Sequence, residues 1–263
     1  MVIELFKPPK SIKVKTIPNI SGRVIAIGDV HGCLDELQLL VDKVNPTKED
    51  LLVLLGDLVD RGPDSEGVIQ YLVQLQKELL LYSVMGNHDE KLVRYHYHKL
   101  LQLQNSSYKI PMRHNATYDQ MSESSLEFLA NAPHAIFIPN EGTDRTYPIC
   151  LVHAGLGPGV FNQAPNAFVR NRYFTRNIKD NRMTPVKSIQ IDDVWYVPEG
   201  SYPWSYYWDG RWTVVYGHAV FWSPECVNNT IGIDGGCCFG GCLRAWISTS
   251  KQSFFVDVES KQK

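Results

Sequence analysis

Three short loops constrain this chain more than any other feature. They are Gly28-Asp29-Val30-His31-Gly32, Gly56-Asp57-Leu58-Val59-Asp60-Arg61-Gly62 and Gly86-Asn87-His88-Asp89. Each follows an apolar run, Val24 to Ile27, Leu51 to Leu55 and Leu80 to Val84, whose length and composition mark a short buried strand. Each precedes a helical pattern. Leu34, Leu37, Leu40, Val41 and Val44 recur at helical spacing, and Asn45-Pro46 stops that helix. Ser65 to Lys77 and Asp89 to Leu103 read as the second and third helices. Strand, loop and helix repeated three times predicts a parallel sheet with right-handed crossovers. Ligands of such sheets gather at the carboxyl ends of the strands, where all three loops fall.

The rest of the chain extends this pattern. Residues 1–20 are punctuated by Lys and Pro and read as a leader across the edge of a single domain spanning 21–258. Gln104 to Ala132 reads as a helical insert. Ala135 to Ile138, Ile149 to Val152 and Thr213 to Tyr216 read as strands, the last two feeding His153-Ala154-Gly155-Leu156 and Gly217-His218. Gly157 to Asp193 reads as a long irregular segment, and Trp195 to Trp212 as an aromatic core or lid. Thr230 to Ile233, Arg244 to Ser248 and Ser253 to Val256 are expected in a second sheet. The expected architecture is an α/β four-layer α-β-β-α sandwich with two central mixed sheets.

Composition narrows the function. With 263 residues, 44% of them hydrophobic, the chain can bury a large core. A formal charge of −2 gives no electrostatic footprint for nucleic acid or an anionic membrane. No apolar run is long enough to span a bilayer, and Met1 to Lys10 lacks a signal-peptide core. The expected compartment is the cytoplasm, where Cys33, Cys150, Cys226, Cys237, Cys238 and Cys242 stay reduced. The Cys237, Cys238 and Cys242 spacing matches no zinc motif and reads as structural thiols in a Gly-rich turn, with metal or redox roles as the lesser reading. Cys33 lies beside a candidate ligand, where oxidation would perturb the site.

The loop residues suit phosphoryl transfer. Two divalent ions roughly 3.5–4 Å apart clamp an in-line displacement at phosphorus. Asp29 and His31 with Asp57 suit one ion, and Asn87, His153 and His218 the other, with Asp57 as the shared carboxylate. Imidazole with carboxylate favours manganese, with iron, zinc, cobalt or nickel as rivals. A water between the ions would be the nucleophile. His88, next to a ligand yet unmetallated, suits a general acid, with Asp60 as its partner. Arg61 offers a fork for phosphate oxygens. Arg172, in Arg170-Asn171-Arg172-Tyr173, is the expected second clamp, with Arg170 its rival. An aspartate after a strand is, taken singly, more often a helix cap. Three successive strand ends bearing Asp29, Asp57 and Asn87 displace that reading. His96, His98, His114 and His134 read as ordinary surface or core histidines.

These five blocks, from Gly28-Asp29-Val30-His31-Gly32 to Gly217-His218, resemble the signature blocks of the calcineurin-like metallophosphoesterases, in the phosphoprotein phosphatase branch. The resemblance runs from about Val24 to Ala245. Gly32-Cys33-Leu34-Asp35-Glu36-Leu37, Asn87-His88-Asp89-Glu90-Lys91-Leu92, and Ile231-Gly232-Ile233-Asp234-Gly235-Gly236-Cys237 with Phe239-Gly240-Gly241 are similar to the bis(5'-nucleosyl)-tetraphosphatases within it. The resemblance implies Asp29, His31, Asp57, Asn87, His153 and His218 as metal ligands, His88 with Asp60 as the acid pair, and Arg61 as the phosphate clamp. It implies a metal-bridging hydroxide that cleaves phosphoanhydrides of dinucleoside polyphosphates or related nucleotides, capped RNA ends included. A phosphoprotein phosphatase and a polyphosphatase remain alternatives with the same chemistry, and a catalytically silent binding module is the reading from another class. The chain departs from the family pattern at Ala219, Gly235 and Cys242, all near the late loops, which leaves the substrate open.

Overall fold

These runs and loops fold as a computed structural model that describes residues 2–140, 147–156, 165, 169–176, 183–186, 189–191, 194–196 and 198–262. In chain order the elements are α1 (Val2–Phe6), β1 (Val14–Thr16), β2 (Val24–Ile27), α2 (Leu34–Val44), β3 (Leu51–Leu54), α3 (Ser65–Leu75), β4 (Leu80–Ser83) and α4 (Asn87–Gln104). There follow α5 (Glu123–Ala130), β5 (Ala135–Ile138), β6 (Ile149–Val152), β7 (Tyr173–Arg176), β8 (Met183–Val186), β9 (Ile189–Ile191), β10 (Val194–Tyr196) and β11 (Ser201–Pro203). Last come β12 (Thr213–Tyr216), β13 (Glu225–Val227), β14 (Thr230–Gly232), β15 (Cys242–Ser248) and β16 (Ser253–Glu259).

Two mixed sheets face each other. One runs β16-β15-β2-β3-β4, the other β1-β5-β6-β12-β14-β13. In β2 and β3 every residue is buried, because each face meets a different core. Ile25, Ile27, Leu52 and Leu54 pack with Leu37, Leu40, Ile69 and Leu92 of the helices. Val24, Ala26, Leu51 and Val53 point the other way, toward Ile136, Leu151 and Val215 of the opposing sheet. Each fully buried aliphatic side chain contributes about 1.5–3 kcal/mol, an upper figure given a compact unfolded chain. The outer face of the six-stranded sheet, through Cys150, Val152, Val214 and Tyr216, is covered by Leu156 and Trp204.

The three expected β–α units are present, with β2, β3 and β4 parallel. Strands at 244–248 and 253–256 are present but not in the second sheet. β15 pairs antiparallel to β2 (Ala245 opposite Ile27), and β16 to β15. Trp246 enters the inter-sheet core while Leu243, Ala245 and Ile247 face the helices, so β15 satisfies the same two cores as β2. Only β14 joins the second sheet, beside β12. The insert at 104–132 is only partly helical. After α4, Asn105 and Pro111 break the pattern, leaving a loop, a 3-10 turn at Ala116–Gln120 and α5 capped by Ser122. Within the expected irregular segment, β7, β8 and β9 are strands, and its other residues, 169–172 apart, lie mostly outside the described ones. Residues of the leader contribute β1, parallel to β5, and Phe6, whose ring meets His96 edge-on at 4.3 Å. No described helix is long and apolar enough to cross a membrane.

Candidate active site

The loop after β2 is bound to the loop after β3 through backbone. Val30 N and His31 N both donate to Asp57 O (3.2 and 2.8 Å), and Gly32 N to Leu58 O (2.8 Å). His31 Nδ1 lies 2.9 Å from Val59 O. A carbonyl only accepts, so Nδ1 carries the proton and Nε2 presents a lone pair. That Nε2 stands 3.5 Å from Asp57 Oδ2 and 4.0 Å from Asp29 Oδ2.

The third loop joins through helix geometry. α4 starts at Asn87, two residues earlier than the sequence suggests, so Asn87 and His88 lie on its first turn. His88 N donates to Asp57 Oδ1 (2.8 Å). Asp89 Oδ1 and Oδ2 accept from Leu58 N and Gly86 N (2.9 and 3.1 Å), clamping the second loop to the third. A Cβ at Gly86 would collide with the backbone N and Oδ1 of Asp57, so only glycine allows this approach.

The second sheet brings the remaining imidazoles. His153, after β6, places Nδ1 2.8 Å from Leu55 O, again fixing the lone pair on Nε2. That Nε2 lies 3.1 Å from Asn87 Oδ1, 3.1 Å from His218 Nδ1 and 3.4 Å from Asp57 Oδ1. His218, after β12, is held by its own N donating to Asp29 Oδ1 (2.9 Å). A Cβ at Gly217 would strike that same oxygen. All six expected ligands therefore converge, with Asp57 between the two sets.

The proposed acid pair is also assembled. His88 Nδ1 lies 2.7 Å from Asp60 Oδ2, and Asn115 Nδ2 donates to Asp60 Oδ1 (3.3 Å). Arg61 reaches His31 Nε2 (3.0 Å) and His88 Nε2 (3.2 Å) with its two amino groups. The two rival arginines separate. Arg170 donates to Glu90 Oε2 (2.9 Å) and Asn87 O (3.4 Å). Arg172 Nη2 donates to His218 O (2.5 Å) and lines a cavity of about 290 Å³ with Arg61, Trp204, His218, Phe221 and Phe239. Arg172 is placed by Trp204, whose N donates to Arg172 O (3.0 Å) and whose ring fills the space beside Gly155.

Burial sets the protonation pattern. It pushes His31 down to about 4, with Asp57 opposing and the Arg61 and His88 charges adding to it. It lowers His153 and drives His218 well below its ordinary value, so the imidazoles are neutral donors near pH 7. Burial with the Asp234 and Asp57 charges raises Asp29 well above the usual range. For Asp57 burial works upward, but the facing imidazoles, His153 first, hold it below. Asp89 is pushed up to about 8 and Asp234 to about 6, chiefly by burial.

Backbone strain concentrates here as well. Among the described residues nine non-glycine positions have positive φ, and His31, Asp57, Asp60, Arg61 and His218 are five of them. The other four, Asn19, Asn45, Asn228 and Asn229, are all asparagine, which tolerates that region. Such conformations cost of order 1–3 kcal/mol each and cluster at functional sites.

The donor chemistry fits cations. His31, Asp57 and His88 offer atoms within 4.8 Å of one another, and so do Asp57, His153 and His218. Neutral imidazole lone pairs turned on one carboxylate have no shared proton to hold them together. Reasoning from sequence missed Asp89, Asp234 and Asn115 as supports. Asp89 was visible only as a helix start. Asp234, buried with Oδ1 accepting Gly236 N (2.9 Å), was visible only as part of the late block that resembles the tetraphosphatases, with no role attached. Asn115 had no signal.

Known proteins share this plan. The asymmetrical bis(5'-nucleosyl)-tetraphosphatase PrpE of Oceanobacillus iheyensis is 30% identical over 255 residues, 91% of this chain and 93% of that one. Its counterpart in Bacillus subtilis is 29% identical, covering 82% and 87%. A crystal structure presented as a provisional diadenosine tetraphosphatase superposes with TM-score 0.69 at 31% identity, over 94% of this chain and 98% of that one. A Saccharomyces cerevisiae serine/threonine phosphatase, 14% identical with TM-score 0.55 over all of this chain and 88% of its own, shares the fold. Residues 22–240 match the model of the calcineurin-like phosphoesterases. The chain belongs to that family of metal-dependent hydrolases acting on phosphoric esters and anhydrides.

Proposed function

We propose that the chain hydrolyses a phosphoanhydride bond of dinucleoside polyphosphates at a centre for two divalent cations. The observation that carries this is Asp57, whose Oδ2 faces His31 (3.5 Å) and whose Oδ1 faces His153 (3.4 Å). Asp29, His31 and Asp57 would hold one ion; Asp57, Asn87, His153 and His218 the other. When bound, the ions neutralise phosphate charge and activate water. Imidazole, carboxylate and amide donors fit manganese, with iron, zinc, cobalt and nickel behind it.

The chain's own residues do the rest. Arg61 and Arg172 face the 290 Å³ cavity and grip phosphate oxygens as charge-assisted donors. Asp60 holds His88 Nδ1, orienting Nε2 to give a proton to the leaving oxygen. Arg61 can only donate to that Nε2 (3.2 Å), so His88 takes up from solvent the proton it gives once a phosphate draws Arg61 away. Likeness to the PrpE tetraphosphatases supports the substrate class and an asymmetrical cut. The test is a panel of diadenosine tetraphosphate, phosphopeptides, polyphosphate and capped RNA with manganese-loaded protein. Release of AMP with ATP from the dinucleotide is expected. An intact dinucleotide beside a dephosphorylated peptide would replace this reading with a phosphoprotein phosphatase.

A further inference from the structure

Behind the loop that carries His31 lies a separate group of two thiols and a carboxylate. Cys33 precedes the first turn of α2, Glu36 lies within that turn, and Cys237 opens the 3-10 turn Cys237–Phe239. Cys33 and Glu36 are 0% exposed and Cys237 1%. Their two Sγ atoms and a carboxylate oxygen all lie within 4.8 Å of one another.

The carboxylate is half satisfied. Glu36 Oε1 accepts from Lys261 N (2.8 Å) and Gln262 Nε2 (3.1 Å). Oε2 is buried with no hydrogen-bond partner among the described residues. Lys261 turns its ammonium to Asp35 instead (3.0 Å). A buried acceptor left without a donor costs about 1–3 kcal/mol, and more when charged. A positive group between Glu36 and the two sulphurs would remove that cost. The neighbouring Cys33 and burial push the Cys237 thiol up, with the Glu36 charge adding to it.

We propose that Cys33, Glu36 and Cys237 form a binding site for one thiophilic divalent cation of the zinc class. Two thiolates and a carboxylate are donors that such cations take, whereas magnesium and calcium prefer all-oxygen shells. Binding sends the two thiol protons to solvent. The site differs in kind from the phosphoesterase centre, whose candidate ligands include no thiol. It would pin the turn at Cys237–Phe239 and the chain end at Lys261 and Gln262 onto α2, two residues from His31. Ser260 Oγ already donates to Cys237 O (2.6 Å) along the same seam.

Cobalt(II) tells the two sites apart, because only thiolate ligands give an intense sulphur-to-cobalt charge-transfer band in the near ultraviolet. The full chain, purified with reductant and titrated with cobalt, is expected to show this band. Cys33→Ser and Cys237→Ser are each expected to lower it to about half or less, the double change to lose it, and Asp57→Asn to keep it. Glu36→Gln is expected to weaken the cobalt that produces it by roughly 10–100-fold or more, at least the loss seen when an outer-shell partner is removed. A cobalt-saturated native chain without the band would overturn the proposal, whatever the variants do. So would a band that survives the double serine change.

Discussion

The two sheets furnish the centre unequally. The five-stranded sheet supplies Asp29, His31, Asp57, Asp60, Arg61, Asn87 and His88 from three consecutive loops. The six-stranded sheet supplies His153 and His218, from strands far apart in the chain. The loops of the first sheet hold one another through backbone, as Val30 and His31 do on Asp57 O. The histidines of the second are oriented by the first. His153 leans on Leu55 O and His218 N on Asp29 Oδ1. One half of the centre is therefore self-supporting, and the other takes its geometry from across the inter-sheet core.

Asp57 belongs to both halves, so its loss should be the largest. Each ion contributes several kcal/mol, and Asp57→Asn is expected to lower kcat by more than about 10⁴-fold. Steady-state turnover of diadenosine tetraphosphate with manganese measures it, and activity within tenfold of the native chain would contradict the bridging role. His88→Asn removes only the proposed proton donor. A fall of about 10²–10⁴-fold is expected, shrinking for p-nitrophenyl phosphate, whose leaving group needs no proton. An equal fall for both substrates would assign His88 elsewhere.

The dependence of one half on the other is measurable directly. His218→Asn is expected to reduce bound manganese from about two ions per chain to about one, by elemental mass spectrometry. Asp29→Asn, which also removes the negative oxygen holding His218, should cost both sites affinity. Equal effects of the two changes would mean that the halves are independent. Trp204→Ala opens the outer face of the second sheet and should cost about 3–5 kcal/mol in urea unfolding, while raising KM through Arg172.

The smallest effect lies far from the centre. Asp50 is buried and bound by Arg23, Nη2 to Oδ2 at 2.7 Å. Burial works upward on its carboxyl, but the Arg23 and Thr47 bonds hold it below its ordinary value. A depressed folded value gives stability that is present above the unfolded value near 4 and is lost as pH falls through the folded one. Asp50→Asn should cost about 1–3 kcal/mol at pH 7. Melting measured down the acid range should show the gap to the native chain closing below about pH 4, and a gap that persists there would refute the ionic origin.

The same asymmetry decided what the sequence disclosed. Asp29, Asp57 and Asn87 were legible because each ends an apolar run and begins a helix, so chemistry and local structure coincide. The place of β15 was not legible. Leu243 to Ser248 shows a strand with two buried faces, but no pattern within it names β2 as its neighbour. The support given by Asn115 to Asp60, and by Asp89 to the second loop, depends on long-range approach that residue type does not encode. Arg172 and Arg170 are equivalent as text. In the structure Arg170 donates to Glu90, on α4, and Arg172 lines the cavity.

The left-handed backbone at His31, Asp57, Asp60, Arg61 and His218 sets heat resistance against turnover at the same five residues. Glycine or asparagine there would let the loops relax, and selection for a hardier fold alone would drift toward them. Each such step would strip away a candidate metal ligand, the carboxylate beside His88 or the proposed phosphate clamp. An effort to toughen this enzyme should therefore leave those positions untouched and seek its gains at the sheet edges and in the helices.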